Sequence, residues 1–292
     1  MKTYLDCIPC FIRQSLEAAR LATEDPGLQA EIVRRALILA SEQDFDRPPP
    51  VMGQALHRLI RRLAGDADPY REAKERFNRA ALAFYPELKR LIESSPRPFE
   101  TALRLSIAGN IIDLGVNADL RVEDLEAAVH EALDAALAED EVVQLVEKVR
   151  AAKSICFVAD NAGEIVFDRL LIEELPTERT TVVVRGAPVL NDATLEDARA
   201  VGLAEVVRVV DNGSDAPGTL LDDCSEEARR LLADSDLVIA KGQGNYETLS
   251  ELGERVFFLL RAKCPVIARD IGCAVGALVI CQGKAAEQRS KK

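Results

Sequence analysis

The segment Asp160-Asn161-Ala162-Gly163-Glu164 sets a carboxylate beside a carboxamide, directly after the apolar run Ser154–Ala159 and directly before a helical pattern. Paired oxygens of this kind are hard ligands suited to a divalent cation, and Gly163 lets a phosphate approach the backbone. A helix that opens there presents free N–H groups and the positive end of its dipole. The same residues would also serve as plain helix caps, and this motif alone leaves both readings open.

The next apolar run, Thr180–Val184, leads into Arg185 and then Asn191, Asp192 and Asp197. Arg185 is a cation at a strand end, fit for an anion. The segment is rich in oxygen ligands and could add a carboxylate to a metal, although for Asn191 and Asp192 a helix cap is the stronger reading. Asp197 sits a turn or more inside a helical pattern, where Asp has mediocre propensity; it could add a carboxylate to a metal, although a solvated Asp on a helix face is the commoner situation. After Leu237–Ala240 comes Lys241-Gly242-Gln243-Gly244-Asn245, where two glycines beside a lysine can cradle an anion. A tight turn is the plainer alternative, since neither a P-loop nor a Rossmann fingerprint is present. The polar run Asp211–Thr219 could line the same crevice or be a surface turn. Lys263, beyond the run Val256–Leu260, either snorkels or points into a site.

Other reactive residue types are less promising. Cys7-Ile8-Pro9-Cys10 could chelate a soft metal or exchange thiols, but no second C-x-x-C completes a zinc site, and packing at a helix entrance is the alternative. Cys264 and Cys273 read as small packing residues. His57 and His130 both precede the strand-rich half, which weakens Ser-His-Asp, Cys-His and His-zinc chemistry.

Two kinds of element must position these groups. Before residue 154 the pattern is helical, over Phe11–Thr23, Ala30–Ser41, Val51–Ala64, Tyr70–Ile92 and Val122–Leu137. Afterwards short β-branched runs (Ser154–Ala159, Thr180–Val184, Glu205–Val210, Leu237–Ala240, Val256–Leu260, Val266–Ala268) alternate with helical stretches, as a covered parallel sheet requires. The expected class is α/β: an all-helical domain over 1–150, then a Rossmann-like three-layer parallel-sheet domain over 151–292 that carries the metal and phosphate site. The polar tail from Gly283 is expected to fray.

Composition narrows the partners. The net charge of −12 repels polyanions, and the absence of Trp with only 4% aromatic residues removes stacking platforms, so nucleic acid is a poor ligand. No apolar run reaches membrane-spanning length and the first ten residues lack a secretory core, so the cytoplasm is the expected location. Seven cysteines, an odd number, fit reduced thiols.

Taken together, Cys7-x-x-Cys10, the segment Ala108-Gly109-Asn110-Ile111-Ile112-Asp113, Asp160-Asn161-Ala162-Gly163-Glu164, Asp197 placed 37 positions after Asp160, Lys241-Gly242-Gln243-Gly244-Asn245 and Lys263 resemble the damage-control phosphatase family. That family is also called acidic-residue-methyltransferase-like and was formerly a domain of unknown function. The resemblance spans nearly the whole chain and is nearest the prokaryotic branch with the N-terminal C-x-x-C.

It implies a helical domain joined to a Rossmann-like domain, and metal-dependent hydrolysis of sugar phosphates or related damaged metabolites. It further implies that Asp160, Asn161 and Asp197 hold the metal, that Lys263 meets the substrate phosphate, and that Asn110 and Asp113 reach the pocket mouth. The eukaryotic pattern has Arg-Thr-x before that lysine, where this chain has Leu260-Arg261-Ala262.

The catalytic candidates are therefore Asp160, Asn161 and Lys263, with Arg185, Lys241, Gly242, Gly244 and Asn245 on the substrate. Ligand type favours magnesium or manganese, while nickel or cobalt follows the affinity order. Asp160 could be a ligand, a base or a nucleophile. The competing readings are an S-adenosylmethionine-dependent carboxyl methyltransferase, which would want a glycine-rich loop this chain lacks, and a non-catalytic metal-binding regulatory module.

Overall fold

The computed structural model describes residues 1–109 and 129–284, apart from 132 and 136. Asn110, Asp113, most of the helix expected over 122–137 and the tail from 285 lie outside the described residues. The helical half comprises α1 (Cys7–Ala22), α2 (Pro26–Ser41), α3 (Pro49–Ala64), α4 (Arg71–Ser94), α5 (Pro98–Ala108) and α6 (Glu139–Ala151). Helices α2, α3 and α5 each carry proline in their first turn, where its missing N–H costs nothing. The Asp25 side chain caps α2 by accepting from the Gly27 N–H at 2.8 Å. Helices α5 and α6 add to those read from periodicity; their start signals are Pro98 and the acidic first turn Glu139-Asp140-Glu141.

From residue 155 the chain alternates strand and helix. The strands are β1 (Ile155–Val158), β2 (Thr180–Val184), β3 (Arg208–Asp211), β4 (Leu237–Lys241), β5 (Val256–Arg261) and β6 (Leu278–Gln282). Between them run α7 (Glu164–Glu173), α8 (Leu195–Ala200), α9 (Glu226–Asp234), α10 (Gly242–Leu249) and α11 (Pro265–Ile271). The sheet order is β3-β2-β1-β4-β5-β6, parallel from β3 through β5, with β6 antiparallel at the edge.

The Val266–Ala268 run is helical rather than extended. Pro265 stands at the first position of α11 behind the N-cap Cys264, and starts a helix that three apolar residues alone cannot announce. The sixth strand is instead Leu278–Gln282, paired with β5.

Alternate strand residues face opposite layers. Phe157, Val182, Ile239 and Phe257 pack with α4, α5, α6 and α7, whereas Cys156, Val158, Val238 and Phe258 pack with α9, α10 and α11. Among the described residues, helices α4 to α6 thus belong to the same hydrophobic core as the sheet. Helices α1 to α3 hold a smaller core of Ala18, Ala19, Ile32, Ala36, Leu56 and Ile60. They are tied to the loop after β3 by Arg58 and Arg61, both of which grip Asp215, and by Gln54, which donates to Asp215 and Asp223. Asp215 therefore joins two parts of the fold and is not a free surface turn.

Strand β1 lies between β2 and β4, so the chain turns away in opposite directions on its two sides. A crevice opens beyond the carboxyl ends of strands at such a reversal.

Candidate functional site

Asp160 and Asn161 follow β1, and the backbone after β2 returns to meet them. Leu190 takes a left-handed φ of 47°, an uncommon conformation for a residue with a branched side chain. The kink turns residues 191–193 antiparallel to residues 160–162. The Ala193 N–H donates to the Asp160 carbonyl at 2.7 Å, the Ala162 N–H donates to the Asn191 carbonyl at 2.8 Å, and Asn161 and Asp192 face each other across the bridge.

This brings Asp192 into the company of Asp160. Arg185, at the end of β2 and only 1% exposed, donates through Nε to Asp192 Oδ2 at 2.6 Å and lies 3.5 Å through Nη2 from Asp160 Oδ1. Burial pushes the Asp160 carboxyl well above the usual carboxylate range, with Asp192 and Glu164 adding to the effect; Arg185 and Lys263 pull the other way. Asp192 is likewise raised by burial, against Arg185. Clustered carboxylates with too little positive charge are the electrostatic setting a cation relieves.

Asn161 completes the oxygen set. Its Nδ2 donates to Asp160 Oδ2 at 3.1 Å and to Glu164 Oε2 at 2.9 Å. Two anionic acceptors fix which end of the amide faces them, leaving Oδ1 as the end turned away. Among the described residues no three His, Cys, Asp or Glu side chains form a ready metal cage. Two carboxylates and one amide oxygen lie close together here, a set of hard donors that could hold a divalent cation keeping some of its waters.

Opposite them begins α10. Gly242 takes a φ of +77°, and a Cβ built there would fall 1.8 Å from Asp160 Oδ2. The missing side chain is what lets the carboxylate occupy its position. A Cβ at Gly244 would meet the Pro217 carbonyl at 2.2 Å, so that glycine admits the 216–218 loop. The first N–H groups of α10 have no intrahelical partner. Lys263, exposed beyond β5, supplies a positive charge that reaches Asp160.

Residues 3–279 match the profile of the damage-control phosphatase ARMT1-like domain. The chain belongs to that family. It is 37% identical over 288 residues to a protein of Archaeoglobus fulgidus named damage-control phosphatase, covering 94% of this chain and 96% of the relative. It is 35% identical over 289 residues to damage-control phosphatase PH1575 of Pyrococcus horikoshii, covering 97% and 99%. The crystal structure of that Pyrococcus protein, described as a DUF89 family member, superposes with a TM-score of 0.89 at 32% identity, over 97% of this chain and all of the other.

Within this ARMT1-like fold several residues expected at the ligand have other tasks. Lys241 is fully buried, and its Nζ donates to Glu164 Oε1 at 2.7 Å, Asp168 Oδ1 at 2.5 Å and the Ser106 carbonyl at 2.7 Å. An ammonium has three protons, so none is left for a substrate. Asn245 is also fully buried; it donates to the Ala159 and Lys241 carbonyls and accepts from Arg185 and Thr219. Arg185 itself is enclosed: its Nε donates to Asp192 and its Nη1 to Thr219 and Asn245, while its Nη2 is turned toward Asp160 and makes no hydrogen bond. These three residues, read from the sequence as substrate contacts, are buried parts of the scaffold.

Asp197 is equally committed. It closes a capping box with Thr194 at the start of α8, accepting from the Thr194 N–H and hydroxyl at 2.9 and 2.8 Å. Asn78 donates to its other oxygen at 2.9 Å, and Lys74, buried between Asp68 and Asp197, lies 3.3 Å away. Asn78 meanwhile accepts from the Gly163 N–H at 2.7 Å, so Asp197 buttresses the start of α7 from behind. The carboxylate that shares Arg185 with Asp160 is Asp192, for which the sequence favours a cap. Its signal is positional: an acid in the loop after the strand next to β1.

The Cys7 thiol is half-buried at the start of α1 and pushed upward by burial, the reverse of an activated thiolate, while Cys10 is exposed.

Proposed function

We propose that this chain is a metal-dependent phosphatase of small phosphate monoesters, sugar phosphates or related damaged metabolites. Asp160, Asn161 and Asp192 would hold the divalent cation; this set replaces Asp197 of the sequence expectation with the carboxylate that backbone pairing brings alongside Asp160. That placement, at the sheet's reversal point and within the influence of the Lys263 charge, is the observation that carries the reading. Membership of the damage-control phosphatase family and the names of the two archaeal relatives support it.

Once bound, the cation would polarise the phosphoryl oxygens and lower the pKa of a coordinated water. The chain's own contributions follow from the geometry. Lys263 offers a mobile point charge to the phosphoryl group, and the free N–H groups at the start of α10 offer fixed dipoles, both of which stabilise charge that grows during in-line displacement. Arg185 keeps Asp160 and Asp192 apart and oriented. Gly242 leaves the room that Asp160 needs.

The end of β2 carries Arg185 where a methyltransferase would place an acid for the ribose hydroxyls, which counts against that alternative. The deciding experiment is phosphate release from a sugar-phosphate panel by chelated and metal-restored protein, wild type beside Asp160→Ala. Metal-restored release that Asp160→Ala abolishes is expected; folded wild-type protein releasing no phosphate with magnesium, manganese, nickel or cobalt would overturn the proposal.

A further inference from the structure

The buried cluster of Lys241, Glu164, Asp168 and Ser106 lies one step behind the crevice and touches no ligand position. Glu164 is 3% exposed, Asp168 and Lys241 are fully buried, and Ser106 in α5 is fully buried as well. Ion pairs in such a place are expensive to desolvate and are seldom net stabilisers, so their retention asks for a reason. The connectivity supplies one. Glu164 is shared: its Oε1 accepts from Lys241 and its Oε2 accepts from Asn161. Lys241 is in turn held by Asp168 and by the Ser106 carbonyl, while the Ser106 hydroxyl donates to Asp168 Oδ1 at 2.7 Å. A continuous chain of charge-assisted hydrogen bonds therefore runs from α5 through β4 and α7 to the Asn161 amide.

We infer that Glu164, held in place by Lys241, is a positioning residue that sets the orientation of the Asn161 carboxamide. An amide has near-identical ends in shape and opposite ends in hydrogen bonding. With the Glu164 and Asp160 carboxylates on one side, the Nδ2 end must face them and the Oδ1 end must face outward, toward the position a cation would take. Were the amide reversed, its NH2 group would confront that cation and its oxygen would confront two carboxylates. Lys241 makes the arrangement one-way. It occupies Glu164 Oε1 as a donor, so only Oε2 is left for Asn161, and that oxygen can only accept. The inference rests on the proposal that Asn161 is a metal ligand, and it assigns to Glu164 and Lys241 a role the chemistry itself does not reveal.

The substitution that isolates this role is Glu164→Gln, which keeps the shape and removes one acceptor. A glutamine between Lys241 and Asn161 has a single oxygen for two donors; the ammonium claims it, and the glutamine NH2 then meets Asn161, which relaxes by reversing its amide. Removing the competing donor as well, in Glu164→Gln with Lys241→Met, frees the glutamine oxygen to turn back toward Asn161.

Two readouts on full-length protein decide the matter. In the first, Mn²⁺ alone is titrated calorimetrically. The wild type is expected to bind, Glu164→Gln to bind roughly 10- to 100-fold more weakly, as for other groups that orient metal ligands, and the double variant to regain most of the loss. In the second, the side-chain amide resonances of Asn161, identified by their disappearance in Asn161→Asp, are followed in metal-free protein. Slow hydrogen exchange in the wild type and fast exchange in Glu164→Gln are expected. Mere loss of a negative charge weakens Mn²⁺ binding without moving that amide, so an unchanged Asn161 signal in folded Glu164→Gln overturns the inference, whether or not the double variant folds. Equal Mn²⁺ affinity of Glu164→Gln and wild type overturns it too. If wild-type protein binds no divalent cation, the metal reading itself fails, and this inference with it.

Discussion

The carboxylate of Asp160 occupies the volume that a side chain at Gly242 would need: a Cβ there would stand 1.8 Å from Oδ2. The end of β1 and the start of α10 are thus fitted to each other through an atom that is missing from one of them. Gly242→Ala must pay for a left-handed backbone, roughly 1–2 kcal/mol, and must also displace Asp160. A shift of about 1 Å in a reacting group can cost on the order of 100-fold in rate. Phosphate release by Gly242→Ala is expected to fall by at least that much, while circular dichroism still reports a folded chain.

Asp192 and Asp197 separate a ligand from a buttress. Asp192→Asn is expected to weaken Mn²⁺ binding and metal-dependent turnover strongly while leaving the thermal midpoint close to wild type, because it removes a charge from a crowded carboxylate cluster and keeps an acceptor for buried Arg185. Asp197→Ala breaks a capping box and strips a partner from buried Lys74; it should lose about 2–4 kcal/mol in urea unfolding. The folded fraction should still bind Mn²⁺. Calorimetry and unfolding on the same two preparations check both halves, and the reverse pattern would restore Asp197 as the ligand.

Lys263 is exposed, so removing it leaves stability within about 0.5 kcal/mol. If it meets the phosphoryl group, Lys263→Ala lowers kcat/KM by roughly 100- to 1000-fold. Inhibition by inorganic phosphate should weaken in parallel. Turnover and phosphate inhibition both at wild-type levels would remove Lys263 from the site.

Glu247 in α10 gives a pH signature independent of the metal. Burial raises its carboxyl to about 7, against a donor from Gln243 and the charge of the N-terminus. The folded chain therefore keeps a proton that the unfolded chain releases near 4.5. Between those values stability falls as pH rises, and the loss is complete above pH 7. Glu247→Gln should match or trail the wild type near pH 4.5 and overtake it by pH 8, with a ceiling on the order of 3 kcal/mol. Urea midpoints of metal-free protein at the two pH values measure the difference directly.

Much of this architecture is legible in the residues. The change of period near residue 154, five of the six strands and the polar segments at their ends follow from alternation and β-branching alone. The last apolar run failed because Val266-Ile267-Ala268 is too short to carry a period, and Pro265 decides its state. Asp192 was hidden for a different reason: its place beside Asp160 depends on a bend at Leu190 that no propensity announces. Lys241 and Asn245 were legible as residues at a strand end but not as buried ones. Whether a lysine faces a ligand or an ion cluster is settled by which helix covers it, here α5 from far earlier in the chain.

The bridge between residues 160–162 and 191–193 has a consequence for how such a protein can vary over evolutionary time. The separation of Asp160 from Asp192 is set by peptide groups, through the Ala193 N–H on the Asp160 carbonyl and the Ala162 N–H on the Asn191 carbonyl. Replacing neighbouring side chains leaves that ruler intact. Adding or removing a single residue between Arg185 and Thr194 would slip it by one and carry the acid away, so apart from Asp192 this loop is freer to drift in composition than in length.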